Sequence, residues 1–307
     1  MKKVRAAEVL RTLAAAGLDC RLSAREDTLL PGPVNWASFD GAGLAFYDYD
    51  DPAPLRRWDD PARGLVLCRR ELENDLPGGP FLFTDNVRYA FVLAAGLFIE
   101  PPLPGVHPSA VIDPEAEIGR GVAIGPLSVI GAARIGDGCR LGAHVTVADQ
   151  VTLGREVTVM NGANLGEPGL GSVMDNEGRQ VLFPHFAGLE VGDHVVVGPG
   201  AVLNRGVLRP TVIGEGTHIS ASCTVAHNVV LGRQVYLCPG VHLGGSVRVG
   251  DRCFLGLGAC VRDGLELAER VTVGMNAAVV KSCLEPGTTL VGAPARALGN
   301  MFGQARE

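Results

Sequence analysis

The sequence predicts a mainly β protein: a triangular parallel β-solenoid preceded by a small α/β domain. Three observations predict it. From Ile213 onward every sixth position is Ile, Leu or Val: Ile213, Ile219, Val225, Leu231, Leu237, Leu243, Val249, Leu255, Val261, Leu267, Val273 and Val279. Neither a helix nor an ordinary strand repeats with period six. Gly makes up 42 of 307 residues and aromatics only 5%, while 47% are hydrophobic, a balance that disfavours disorder. The hexad is absent from the first hundred residues, which therefore need a fold of their own.

The first domain is expected over 1–104. Residues 3–16 carry Val4, Ala7, Leu10, Leu13 and Ala14 on one helical face. Residues 44–47 and 64–67 read as strands, and 86–99 as a second helix with an apolar face. Pro101, Pro102 and Pro104 make a stiff connection. The solenoid is expected over 105–298, with a tail at 299–307. Its early tract runs Val106, Ile112, Ile118, Ile124, Ile130, slips by one residue, and resumes as Ile135, Leu141, Val147, Leu153, Val159 and Leu165. A middle tract has Val191, Val197 and Leu203. Three hexads close one 18-residue coil, so these positions give eight or nine coils and a prism roughly 40 Å long.

Within each hexad the aliphatic side chain points inward. The next residue is often Gly, as in Gly119, Gly125, Gly232 and Gly250, which suits a corner needing a sharp turn or positive φ. Four residues after the aliphatic comes a small or branched filler, and Cys139, Cys223, Cys253 and Cys283 share that register. They read as core fillers. Residues 166–188 interrupt the repeat. There, Asp175-Asn176-Glu177-Gly178 reads as a turn between strands at 172–174 and 180–183. A smaller insertion lies at 205–210. Long loops on a rigid scaffold commonly carry binding residues.

Several classes are disfavoured. No apolar run approaches the ~18 residues of a membrane span. The charged N-terminus is not a signal peptide. Net charge is −6 without a basic cluster, against nucleic-acid binding. The eight cysteines form no CxxC pair, which points to a reduced, cytoplasmic protein rather than a disulfide or zinc scaffold. The first domain has no Gly-rich phosphate loop, against a nucleotidyltransferase fusion.

The segment Val225-Ala226-His227-Asn228-Val229-Val230-Leu231-Gly232 closely resembles the catalytic coil of the UDP-3-O-acylglucosamine N-acyltransferases of lipid A biosynthesis, a hexapeptide-repeat family. His107-Pro108-Ser109-Ala110-Val111-Ile112 resembles that family's entry to the solenoid. Gly169-Leu170-Gly171 with Pro184 resembles its loop, and Asn204-Arg205-Gly206 its Asp-Arg-Gly turn. Gly244-Gly245-Ser246 follows one coil after the histidine. The resemblance implies a left-handed parallel β-helix, a homotrimer with sites between subunits, and a uridine-binding first domain. That last likeness rests on Leu44-Ala45-Phe46 and Asn86-Val87-Arg88-Tyr89-Ala90-Phe91. It implies His227 as general base and the Gly245 N–H as oxyanion donor. Phe46, Tyr47, Tyr49 and Asn86 are the expected nucleotide contacts, and His185, Asn204, Arg205 and His242 the expected further substrate contacts. His218 and His242 would lie near such a subunit edge, as auxiliary binders or interface residues.

The implied chemistry moves an acyl group from a thioester, acyl-CoA or acyl carrier protein, to the amine of a nucleotide-linked amino sugar. No cofactor is implied. Hexapeptide solenoids also include zinc carbonic anhydrases, but the late histidines lie nine and fifteen residues apart, from His218 to His227 to His242, which does not match that family's close-spaced pairs. Some positions depart from the pattern. Leu265 follows Gly264 where a second histidine is usual, Leu170 and Leu182 replace Phe and Lys, and Ser220 replaces an Asp, which leaves the group orienting His227 open. Glu285-Pro286-Gly287-Thr288 and Val291-Gly292-Ala293-Pro294-Ala295-Arg296 resemble the tail of acyl-CoA-dependent sugar acetyltransferases, favouring CoA. An O-acetyltransferase using acetyl-CoA and a non-catalytic sugar-binding scaffold are the alternative readings.

Overall fold

A computed structural model describes residues 2–58, 63–76 and 78–297. Leu298 and the tail at 299–307 lie outside the described residues. The chain separates into two compact units, Met1–Pro101 and Pro102–Glu307.

The first unit is a four-stranded sheet with two helices. In sheet order the strands are Cys20–Leu22, Phe81–Thr84, Gly64–Arg69 and Gly43–Tyr47. The first pair is antiparallel and the other two are parallel. The helices are Ala6–Ala15 and Val87–Gly96. Asn86 caps the second by accepting the N–H of Tyr89 at 3.1 Å. Alternation along the strand sends Leu44 and Phe46 into the core beneath the helices, and Ala45 and Tyr47 into a second core with Phe39, Phe81 and Phe83. The strand Phe81–Thr84 is buried on both faces, so its residues do not alternate in polarity, which hides it from a period-two reading.

The second unit is a left-handed parallel β-helix. Its walls are three sheets of eleven, nine and eight strands. Strands 18 residues apart pair in parallel, as where Thr224 and Val225 face His242 and Leu243. The inward aliphatics form one continuous core, with Val225, Leu237 and Leu255 fully buried. Cys139, Cys223 and Cys253 are buried fillers within it, and burial pushes the Cys253 thiol up to about 12. They are inert packing groups.

The corners differ from the expectation in one respect. Positive φ falls on the third residue after the aliphatic, at His144, Asn228, Ser246 and Asn276 among others, and not on the following glycine at Gly119, Gly125, Gly232 or Gly250. That first glycine is needed for another reason. A Cβ on Gly125 would lie 2.6 Å from the main chain of Gly142 on the next coil, and one on Gly250 would lie 2.5 Å from the nitrogen of Glu269. Coils stack too closely there for any side chain.

A side-chain cap recurs at the second corner residue. Asp137, Asp193 and Asp251 each accept the main-chain N–H of the residue one coil back, Arg120, Arg155 and Arg233, at 2.8 Å. The same arginines reach those carboxylates with their guanidinium groups. The N–H bonds first, then the guanidinium groups, hold the three carboxyls below the usual range. A carboxyl depressed on folding stabilises above its unfolded pKa, and that contribution disappears as pH falls through the folded value. Thermal midpoints are therefore expected to drop below about pH 4. In the triple variant D137N/D193N/D251N, which keeps the cap but cannot titrate, they should drop less steeply. Identical acid profiles by circular dichroism would contradict this.

Candidate functional site

His227 is the second corner residue after the inward Val225. The same corner also launches both insertions: residues 166–188 leave after Leu165, and 205–210 after Leu203. One edge of the prism thus collects His227, Gly245 and both irregular segments.

Asn228 fixes the histidine. It is buried and takes φ +62°, a conformation Asn tolerates better than most residues. Its Nδ2 donates to the carbonyl of Arg209 at 3.0 Å, and its Oδ1 accepts the N–H of Val207 at 3.2 Å. Those two partners set which end of the amide is oxygen. The same Oδ1 lies 2.9 Å from Nδ1 of His227. In the neutral imidazole Nδ1 therefore carries the proton and donates it, leaving the Nε2 lone pair free. Asn228 is the orienting group that the sequence left open. Its own N–H donates to Thr211 Oγ1 at 2.8 Å. The small insertion is thus a clamp on Asn228.

Gly245, one coil on, lies against the free end of that ring. A Cβ on Gly245 would be 2.6 Å from Cε1 and 2.7 Å from Nε2 of His227. The Gly245 carbonyl accepts the N–H of Gly264, and Ser246 donates to the carbonyl of His227. No acceptor is recorded for the Gly245 N–H among the described residues. The equivalent N–H groups of Ala132, Ala143 and Arg155 are closed by Asp149, Asn161 and Asp193. An imidazole lone pair and an uncapped amide donor therefore sit together at the corner.

The long loop covers this place. It carries an antiparallel hairpin of Ser172–Met174 and Gln180–Leu182, one residue shorter at its end than expected. Gly169 packs where a Cβ would be 3.5 Å from both His185 Nε2 and His227 Cδ2, and 3.8 Å from Asn204 Cγ. The rings of His185 and His227 meet edge to face with centroids 5.4 Å apart.

The other expected contacts divide. Asn204 reaches the site, yet its Nδ2 donates to the carbonyl of Glu167. Arg205 is a correction: its guanidinium donates to the carbonyls of Gly166 and Asp149, so it ties down the loop base instead of facing a substrate. His242 is exposed on the wall one strand beyond Thr224. It lines a shallow depression of about 360 Å³ that starts at Leu243 and Gly244 and continues past Cys260 and Arg262 to Val280. His218 is a second correction. It lies on a different wall, where its ring meets Tyr236, which stacks on Phe254.

In the first unit, Tyr49 and Asn86 are exposed. Phe46 packs on Phe91, with centroids 4.7 Å apart, and its strand neighbour Tyr47 is buried on the opposite face with its hydroxyl donating to the carbonyl of Asp51. Phe46 and Tyr47 thus cannot share one binding surface, a further correction. Beside Tyr49, burial would raise the Asp48 carboxyl, but hydrogen bonds and charge from Arg69 and Arg88 outweigh it and hold it low. This ion cluster was not read from sequence, because its members lie on three separate segments. Among the described residues no group of three or more His, Cys, Asp or Glu could hold a metal ion, and no helix is long and apolar enough to cross a membrane.

The pattern described as "Bacterial transferase hexapeptide (six repeats)" matches residues 210–245, the stretch containing His227 and Gly245. "Hexapeptide repeat of succinyl-transferase" matches 133–166 and 246–281. The chain is 34% identical over 205 residues to the UDP-3-O-acylglucosamine N-acyltransferase of Bordetella parapertussis, covering 60% of this chain and 56% of that one. It is 33% identical over 227 residues to the enzyme of that name from Coxiella burnetii, covering 67% and 66%. The chain thus spans between about half and two thirds of these relatives' own lengths. A crystal structure of UDP-N-acetylglucosamine O-acyltransferase from Moraxella catarrhalis superposes with a TM-score of 0.58 at 25% identity, over 64% of this chain and 76% of that one.

Proposed function

We propose that this hexapeptide-repeat chain, which resembles the UDP-3-O-acylglucosamine N-acyltransferases, moves an acyl group from a thioester to the amine of a nucleotide-linked amino sugar. The observation that carries the reading is the free Nε2 of His227 beside the uncapped N–H of Gly245. Amide formation needs a base for the proton lost by the attacking nitrogen. It also needs a donor for the oxygen that gains charge in the tetrahedral intermediate. His227 takes the proton, Gly245 donates to the oxyanion, and the imidazolium returns its proton to the departing thiolate. Asn228 keeps the ring in the tautomer that this sequence requires.

The depression beside His242 gives the thioester's arm a bed that begins next to Gly245. We take acyl-CoA as the favoured donor over acyl carrier protein, no cofactor, and a cytoplasmic reaction serving lipid A or surface-glycan synthesis. A nucleotide would engage Tyr49 and Asn86 of the first unit. The long loop covers one side of the corner, and a homotrimer supplies the other side of the crevice. The test offers purified protein UDP-3-O-acylglucosamine, or UDP-N-acetylglucosamine as a hydroxyl acceptor, with acyl-CoA or acyl carrier protein. Product mass and free thiol are followed. A new amide with one equivalent of thiol is expected. Transfer to the hydroxyl alone, or to neither, contradicts the reading.

A further inference from the structure

We propose that His185 is a second proton acceptor in the same crevice, which takes the first proton from the acceptor when it arrives as an ammonium ion. The inference rests on the acyl-transfer reading and deepens it. The Nδ1 of His185 lies 2.9 Å from the carbonyl of Phe183, which accepts only if Nδ1 bears the proton. The remaining lone pair, on Nε2, is buried and has no partner. A buried polar atom left unpaired is costly, so a fold that keeps one invites a reason. Here the lone pair ends beside Gly169, against which His227 and Asn204 also pack. Both rings thus have Nδ1 against an oxygen and meet edge to face, with His185 Nε2 and His227 Cδ2 against Gly169 and His227 Nε2 against Gly245.

The charged groups on the segments packed around His185 are Glu167, Arg205, Arg209 and His227. Arg205 is committed to main-chain carbonyls, and the Glu167 and Arg209 contacts run through their carbonyls, to Asn204 and Asn228. Among the described residues, the titratable ring against His185 is that of His227.

The chemistry gives two acceptors distinct work. An amine is largely ammonium at neutral pH and cannot attack, because its nitrogen has no lone pair. Acylating it releases two protons, one before attack and one as the amide forms, whereas acylating a hydroxyl releases one. His185 takes the N–H proton of the ammonium and leaves a free amine and an imidazolium. The amine attacks the thioester carbonyl, the C–S bond breaks, and the second N–H proton passes through His227 to the thiolate. The His185 imidazolium then gives its proton to solvent. A second lone pair fits an amine acceptor better than a hydroxyl.

The test compares His185→Gln with wild type on the amine acceptor between pH 6.5 and 9. Gln keeps an acceptor oxygen but cannot take up a proton. At pH 6.5 the variant's kcat/KM is expected to fall about 20-fold, the deficit of free amine for an amine with the α-amino reference pKa of about 7.8. Near pH 9, where the acceptor is already free amine, it should return to within about twofold of wild type. The thermal midpoint should not move. A uniform loss at every pH, or no loss, overturns the proposal while leaving the acyl-transfer reading standing. Failure of the wild type to acylate the amine overturns that reading, and this one with it.

Discussion

Gly245→Ala is expected to abolish most acyl transfer while leaving the solenoid intact. The added methyl would sit 2.6 Å from Cε1 and 2.7 Å from Nε2 of His227, closer than non-bonded carbon ever approaches. The ring has to swing away, which breaks its bond to Asn228 and carries the lone pair out of line. The methyl also occupies the space over the N–H that an oxyanion would need. Loss of one such donor typically costs about 10²–10³ in kcat, and displacement of the base adds to it. Stability should scarcely change. Alanine stands at the equivalent corner position in Ala132 and Ala143, and Gly245 does not have positive φ. A surface change of this kind stays within about 0.5 kcal/mol. Full activity would show that His227 and Gly245 do not act together. A collapsed thermal midpoint would show a packing role in its place.

His227→Ala should lower kcat by about 10²–10⁴, the usual contribution of a placed general base. KM should change little, because the imidazole acts on a proton that moves only in the transition state. The variant is also expected to fold. His227 is half-buried at a corner, and its main-chain bond to Ser246 survives the substitution. Asn228 keeps three of its partners, Val207, Arg209 and Thr211, so the clamp remains.

The solenoid was legible because its physics is local and repeated. One aliphatic per side must face inward, and twelve consecutive hexads say so without any long-range information. The pairing of His227 with Gly245 was legible for the same reason, since 18 residues return the chain to the same corner. The group orienting His227 was not. Asn228 is its immediate neighbour in sequence, but its amide orientation depends on Val207 and Arg209, which reach it only through the fold of the small insertion. Arg205 was misread because a guanidinium near a corner looks the same in sequence whether it meets a phosphate or two carbonyls. For His185 the resemblance implies only a substrate contact. Its unpartnered Nε2 and its contact with His227 come from a separation of 42 positions that no spacing rule covers. In the first unit, Phe46 and Tyr47 were read together as aromatics, while strand alternation sends them to opposite cores.

The most direct measurement is a single-turnover experiment in which wild type and His227→Ala meet saturating acyl donor and amine acceptor, with product amide counted by mass. The expected outcome is rapid conversion by the wild type, with the variant binding both substrates but forming amide at least a hundredfold more slowly. Equal rates in the two proteins would contradict a transfer centre built on that imidazole.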